Sequence, residues 1–194
     1  KVAPDHPGAN HYWIHLMESS AHPEQARASA QRLTRLVPGS GHLTHMPAHV
    51  YMRTGDYAGA VRSNQAAARV DETYLRATGA TGVYPAMYYA HNLHFLAIAA
   101  GMEGNSAAAI EAADRIAATL RESIAHLPMV EFMLPTPIYV SMRFQRWDEA
   151  LSLPAPDAIF STTAALRHFA RAMAHTAMGD LKAAESERKL LDEA

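Results

Sequence analysis

The chain of 194 residues contains no cysteine. That absence removes disulfides, zinc–thiolate sites and thiol nucleophiles together, and it leaves the redox compartment undetermined. A dominant charge is missing too: 17 basic residues against 19 acidic ones give a formal net charge of −2. No basic stripe marks a nucleic-acid surface and no basic run marks a membrane surface, so neither partner is expected. The longest apolar stretches are helix-length but are interrupted by His, Asn or Gly, so no transmembrane span is expected. Catalytic signatures are lacking as well. No G-x-S-x-G, P-loop, H-E-x-x-H or G-x-G-x-x-G occurs, and the glycines of HPGAN and VPGSGH fall between helical segments, where a turn explains them. Strand-like alternation is absent throughout, which predicts an all-α chain. The chain opens at Lys1 without Met and reads as part of a longer protein. With no targeting segment visible, the cytoplasm is the default compartment.

What the chain does have is histidine, 12 of them. They recur with the helical pattern. His11 and His15 are followed 34 residues later by His45 and His49, and His42 and His45 are followed 49 residues later by His91 and His94. Turn segments repeat on the same intervals: SSAHPEQA, RTGDYAGA, MEGNSAAA, RFQRWDEA and AMGDLKAA close on Ala26, Ala60, Ala109, Ala150 and Ala184, at spacings of 34, 49, 41 and 34. A small residue at the closing position lets two helices approach, and the Gly five residues before it suits a left-handed C-cap. The expectation is five helix hairpins. First helices lie near 9–19, 42–53, 87–102, 136–143 and 159–177; second helices lie near 23–36, 57–72, 106–124, 147–153 and 181–193. Pro135 and Pro137 mark a helix start, and Pro154 with Pro156 cuts a helix short. Fifteen extra residues near 75–89 read as a loop or an extended helix start over the inner face, because Gly79, Gly82 and Pro85 cluster there.

These segments resemble the tetratricopeptide repeat superfamily, whose period is 34 residues. HPGANHYWIH, HLTHMPAHVYMRTGDY and HNLHFLAIAAGMEG are similar to the C-terminal half of a group of larger bacterial tetratricopeptide proteins. The resemblance implies a single domain, a right-handed superhelical solenoid of about five antiparallel hairpins. The repeats run near 7–40, 41–74, 90–123, 125–158 and 159–192. It further implies that the first helix of each hairpin lines a concave groove. On that alignment His11, His15, Glu18, His42, His45, His49, Arg53, His91 and His94 fall on groove slots, and Met46, Ala48, Tyr51, Leu96 and Ala97 fall on core slots. The resemblance carries a fold, not a chemistry.

Spacing alone puts His42, His45 and His49 on one stripe, because steps of three and four residues keep side chains on one helix face. Packed helices lie about 8–10 Å apart, so histidines of two adjacent first helices can meet at one ion. Three helices are too wide for one ion to collect all seven, which predicts two sites, or one site with spare histidines. His42, His45, His49, His91 and His94 offer an all-imidazole set; His11, His15 and Glu18 offer two imidazoles and a carboxylate. Ligands of this kind without thiolate favour Zn or Cu over Fe or Ni. Three other readings stand beside metal binding. The rings pack between helices and donate to carbonyls or tyrosine hydroxyls. Alternatively, the groove receives a peptide or protein partner, or a small anion, through Arg53, Asn10, Asn92, Tyr88 and Tyr89. Or the histidines serve in an enzyme of unassigned reaction, with Glu18 and Glu131 as the candidate carboxylates. The remaining histidines read as structural: His22 as a helix cap, His126 at a helix end, His168 and His175 as packing residues, and His6 at the mouth of the first hairpin.

Overall fold

A computed structural model describes residues 3–121 and 124–194, and every regular element among them is helical. The helices are α1 (Pro7–Glu18), α2 (Arg27–Leu36), α3 (Gly41–His45), α4 (Pro47–Thr54), α5 (Tyr57–Thr78), α6 (Ala90–Glu103), α7 (Ser106–Leu120), α8 (Thr136–Arg143), α9 (Trp147–Ser152), α10 (Ser161–Ala177) and α11 (Leu181–Glu193). Each packs on its chain neighbours: α1 on α2, α5 on α3, α4 and α6, α6 on α7, α7 on α8, α9 on α10, and α10 on α11.

One turn chemistry recurs. Gly55, Gly104 and Gly179 take the left-handed conformation at φ 79°, 86° and 83°. The next residue, Asp56, Asn105 or Asp180, accepts a hydrogen bond from the backbone N–H three positions on, at 2.9, 3.1 and 3.0 Å. The glycine ends one helix without a Cβ penalty, and the Asx side chain caps the next. The closing alanines Ala26, Ala60, Ala109, Ala150 and Ala184 are all buried, as close helix approach requires. The first turn departs from the scheme. His22 makes no side-chain cap, and its own N–H donates to Ser20 Oγ. His6 is the capping histidine instead, its Nδ1 accepting from Ala9 N at 3.1 Å.

Three departures from the sequence expectation bear on the site. The helix expected at 42–53 is two helices, because Pro47 has no N–H to donate and splits α3 from α4. The extra residues are mostly helical. α5 runs on to Thr78, Gly79 ends it at φ 63°, and a π-helical turn, Tyr84–Tyr89, leads into α6. α7 ends at Leu120, and residues 122–123 of the helix expected to reach 124 lie outside the described residues, as do Lys1 and Val2.

The fourth turn carries Gln145 in the glycine slot at φ 53°, and Arg146 in the capping slot provides no side-chain cap. A left-handed conformation costs a residue with a Cβ about 1–2 kcal/mol. Gln145→Gly should therefore stabilise the chain by about 1 kcal/mol and raise its melting temperature by roughly 2–4 °C. Thermal denaturation followed by circular dichroism checks this; a lower melting temperature would show that Gln145 makes compensating interactions.

Candidate metal centre

Four helices deliver the histidines: α1 carries His11 and His15, α3 carries His42 and His45, α4 carries His49, and α6 carries His91. α5 holds the histidine-bearing helices in place from beneath. Its Asn64 faces His45, and seven residues on, its buried Asp71 accepts from Tyr84 Oη at 2.8 Å and from Asn92 Nδ2 at 2.7 Å. α3 lies so close to α5 that a Cβ on Gly41 would stand 1.8 Å from Asp71 Oδ1. Only glycine fits the position before His42.

The centre is a knot of imidazoles. His45 Nε2 lies 2.8 Å from His49 Nε2 and 3.1 Å from His91 Nε2. The other side of each of the first two rings is committed. Asn64 Nδ2 donates to the Ala60 carbonyl at 2.8 Å, so Asn64 Oδ1 is the atom that faces His45 Nδ1 at 2.7 Å. That oxygen can only accept, so His45 carries its proton on Nδ1. His49 Nδ1 is hydrogen-bonded to Glu18 Oε2 and donates to it. Both Nε2 atoms therefore present lone pairs to each other. Neutral imidazoles in these tautomers cannot hydrogen-bond across that 2.8 Å gap; a proton or a metal cation between them can join them. Phe95 packs on His45, His49 and His91, with ring centroids at 4.7, 4.6 and 5.0 Å.

A second knot adjoins the first. His11 Nε2 lies 3.2 Å from His42 Nε2, and His15 Nδ1 donates to Glu18 Oε1 at 2.7 Å. Ligand atoms within 4.8 Å of one another define three groups: His45–His49–His91, His11–His15–His42 and His15–Glu18–His49. Glu18 thus touches one ring of each imidazole triad with a different oxygen.

Electrostatics keep these rings neutral. Desolvation by burial, with repulsion from neighbouring imidazoles, lowers His42 and His91 from 6.5 to about 4, and it puts His45 well below its ordinary value. His11 is lowered by the same causes. Burial acts to raise Glu18, but hydrogen bonds from His49 and His15 outweigh it and hold the carboxylate down at about 2.

The sequence grouping needs correction in several places. His42 joins His11 and His15 rather than the second imidazole set, and Glu18 serves His49 as well as His15, because α3 and α4 pack across α1. His45 and His49 are 0% and 7% exposed; they lie between helices instead of lining an open groove, covered by α6. His94 stands apart, with Nδ1 against Thr136 Oγ1 at 2.8 Å. Three of the proposed groove residues are occupied within the fold. Asn10 is buried and donates to the carbonyls of Pro4 and His6, Asn92 is buried against Asp71, and Tyr89 donates to Glu72 beside Arg115. Arg53 and Tyr88 remain exposed, Tyr88 with its ring against His42 at 5.7 Å. Glu131 is not near the histidines: it accepts from the N–H and hydroxyl of Thr163 at the start of α10. His168 pairs with Glu187 at 2.7 Å. Asn64 and Phe95 were missed. The only sequence signal for Asn64 is a polar residue in the otherwise alanine-rich inner face of α5.

No protein-family model matches the chain and no curated protein matches its sequence.

The buried neutral rings set a pH dependence for the metal-free protein. Their protons bind more readily in the unfolded chain, whose histidines titrate near 6.5. Stability is full above that pH and declines as pH falls through it toward 4. Glu18 acts in the same direction at lower pH, while Asp71, raised by desolvation, opposes it. The melting temperature of chelator-treated protein should fall steadily from pH 7 to pH 4.5; a flat or rising profile would show that the rings are not buried neutral.

Proposed function

We propose that this chain is a tetratricopeptide-like scaffold that binds a transition-metal ion through Nε2 of His45, His49 and His91. The 2.8 Å approach of two imidazole nitrogens whose proton-bearing sides are already engaged carries the reading. Ligands about 2.0–2.1 Å from a tetrahedral ion lie roughly 3.3–3.4 Å apart. The observed 2.8 and 3.1 Å need the rings to part by only a few tenths of an ångström. The outer partners suit the role. A ligating histidine ordinarily donates its second N–H to a carboxylate or carbonyl, which fixes its tautomer; Glu18 and Asn64 stand in those positions. An all-imidazole set favours Zn or Cu(II). Three protein ligands leave a fourth position for solvent or a small exogenous ligand. The scaffold half of the reading is supported by the repeated Gly–Asx turns and buried closing alanines at 34-residue spacings. A peptide groove fits less well, since Asn10, Asn92 and Tyr89 are committed inside the fold.

Elemental analysis of tag-free protein should find Zn, Cu, Ni or Fe near stoichiometric amounts, removable by chelator and absent from His45→Ala/His49→Ala. At a free metal concentration of 100 times Kd the ion should add about 2.7 kcal/mol of stability by mass action. Absence of metal from the wild type even after loading would overturn the reading.

A further inference from the structure

The His11–His15–His42 triad is a candidate ligand set in its own right, and its relation to Glu18 gives it a role. Building on the single-ion reading above, we infer that the centre binds two metal ions: one at His45–His49–His91 and a second at His11–His15–His42. The Glu18 carboxylate lies between them as a shared outer-sphere partner.

Three observations carry this. The ligand atoms of His11, His15 and His42 lie within 4.8 Å of one another, as those of the first triad do. Each triad contains one ring whose Nδ1 donates to Glu18, His15 to Oε1 and His49 to Oε2. Donation at Nδ1 leaves the Nε2 of both rings as lone pairs, so one carboxylate sets the tautomer of a ligand in each site. The His15 and His49 rings approach to 5.1 Å between centroids, which places the two sites side by side. The sites differ in preorganisation. His45 is buried and anchored by Asn64, whereas the members of the second triad are half-buried. His42 Nδ1 is buried without a partner, so no protein group fixes which nitrogen of that ring bears the proton. The second site therefore binds the same class of ion, a divalent first-row metal preferring imidazole, but more weakly, and it is the one that solvent and small ligands reach.

The test is a Zn(II) titration against a competing chelator, paired with electron paramagnetic resonance of the Cu(II)-loaded protein. Wild-type protein should take up two ions in two steps, and the Cu(II) spectrum should show dipolar broadening from a neighbouring spin. His11→Ala/His42→Ala should keep the tight step, lose the weak one, and give an unbroadened Cu(II) signal. Glu18→Gln retains one acceptor oxygen and can orient one ring only, so at least one step should weaken about 10–100-fold, the usual effect of removing an outer-shell partner. One ion in the wild type, with its affinity unchanged in His11→Ala/His42→Ala, would overturn the two-ion centre and leave the single site standing. One ion abolished by Glu18→Ala and by either histidine pair alike would assign it to His15–Glu18–His49 and overturn both triads. No ion at all would remove the single-site reading and this inference together.

Discussion

The structure turns on one hydrogen-bonded line through its interior: Glu18 on α1, His49 on α4, His45 on α3 and Asn64 on α5. Its end members fix the proton positions of its middle ones. In a low-dielectric interior such a network is worth having only when every member is satisfied, and here the middle contact, lone pair to lone pair, is satisfied only by an added positive charge. The fold has committed four helices to a site that is incomplete as neutral protein. His91 then brings in a fifth, α6.

Hydrophobic packing pays for this polar interior. Ile14, Met17, Leu33, Met46 and Val50 form an apolar cluster on one side of the histidines, and an alanine-rich cluster including Ala48, Ala60, Leu96 and Ala97 lies on the other. Ala48 and Ala60 are small enough to let α4, α5 and α6 approach until imidazoles on separate helices touch. Larger residues there would push the helices toward the usual separation of about 8–10 Å and carry the rings apart. The same small side chains that close the hairpins thus set the spacing of the candidate ligands.

Much of this was legible in the sequence, and the limits have physical causes. Turns were readable because Gly–Asp and Gly–Asn report a left-handed residue followed by a cap, and that chemistry is local. The shared face of His42, His45 and His49 was readable from helical periodicity. Which histidine meets which was not, because that depends on how α1 crosses α3 and α4, and no local signal encodes a crossing. For the same reason His94, in register with His45 at +49, turns to Thr136 instead: a repeat fixes position along a helix, while the neighbour on α8 fixes what the ring touches. Asn10, Asn92 and Tyr89 looked like groove donors because polar side chains suit ligands equally well as they suit buried backbone and carboxylate partners. Only burial separates the two uses. Asn64 was hidden by being a lone polar residue on a second helix, away from the histidine pattern.

The irregularities of the fold gather at the candidate centre. Pro47 breaks the helix between His45 and His49, a π-helical turn ends one residue before the α6 residue preceding His91, and Gly41 removes a Cβ directly before His42. Each is a local departure from good helix geometry, and π-helical turns and backbone breaks concentrate where function needs side chains re-aimed. A regular 42–53 helix would keep His45 and His49 one turn apart on a rigid stripe. The break at Pro47 gives α3 and α4 separate axes, and α3 then follows Asp71 and Asn64 on α5 while α4 follows Glu18 on α1. The two rings are therefore positioned by different partners and meet through their nitrogens. That division is what makes the His45–His49 contact informative: it is set by two independent anchors, so their convergence on a 2.8 Å gap is a property of the fold and not of helical spacing alone.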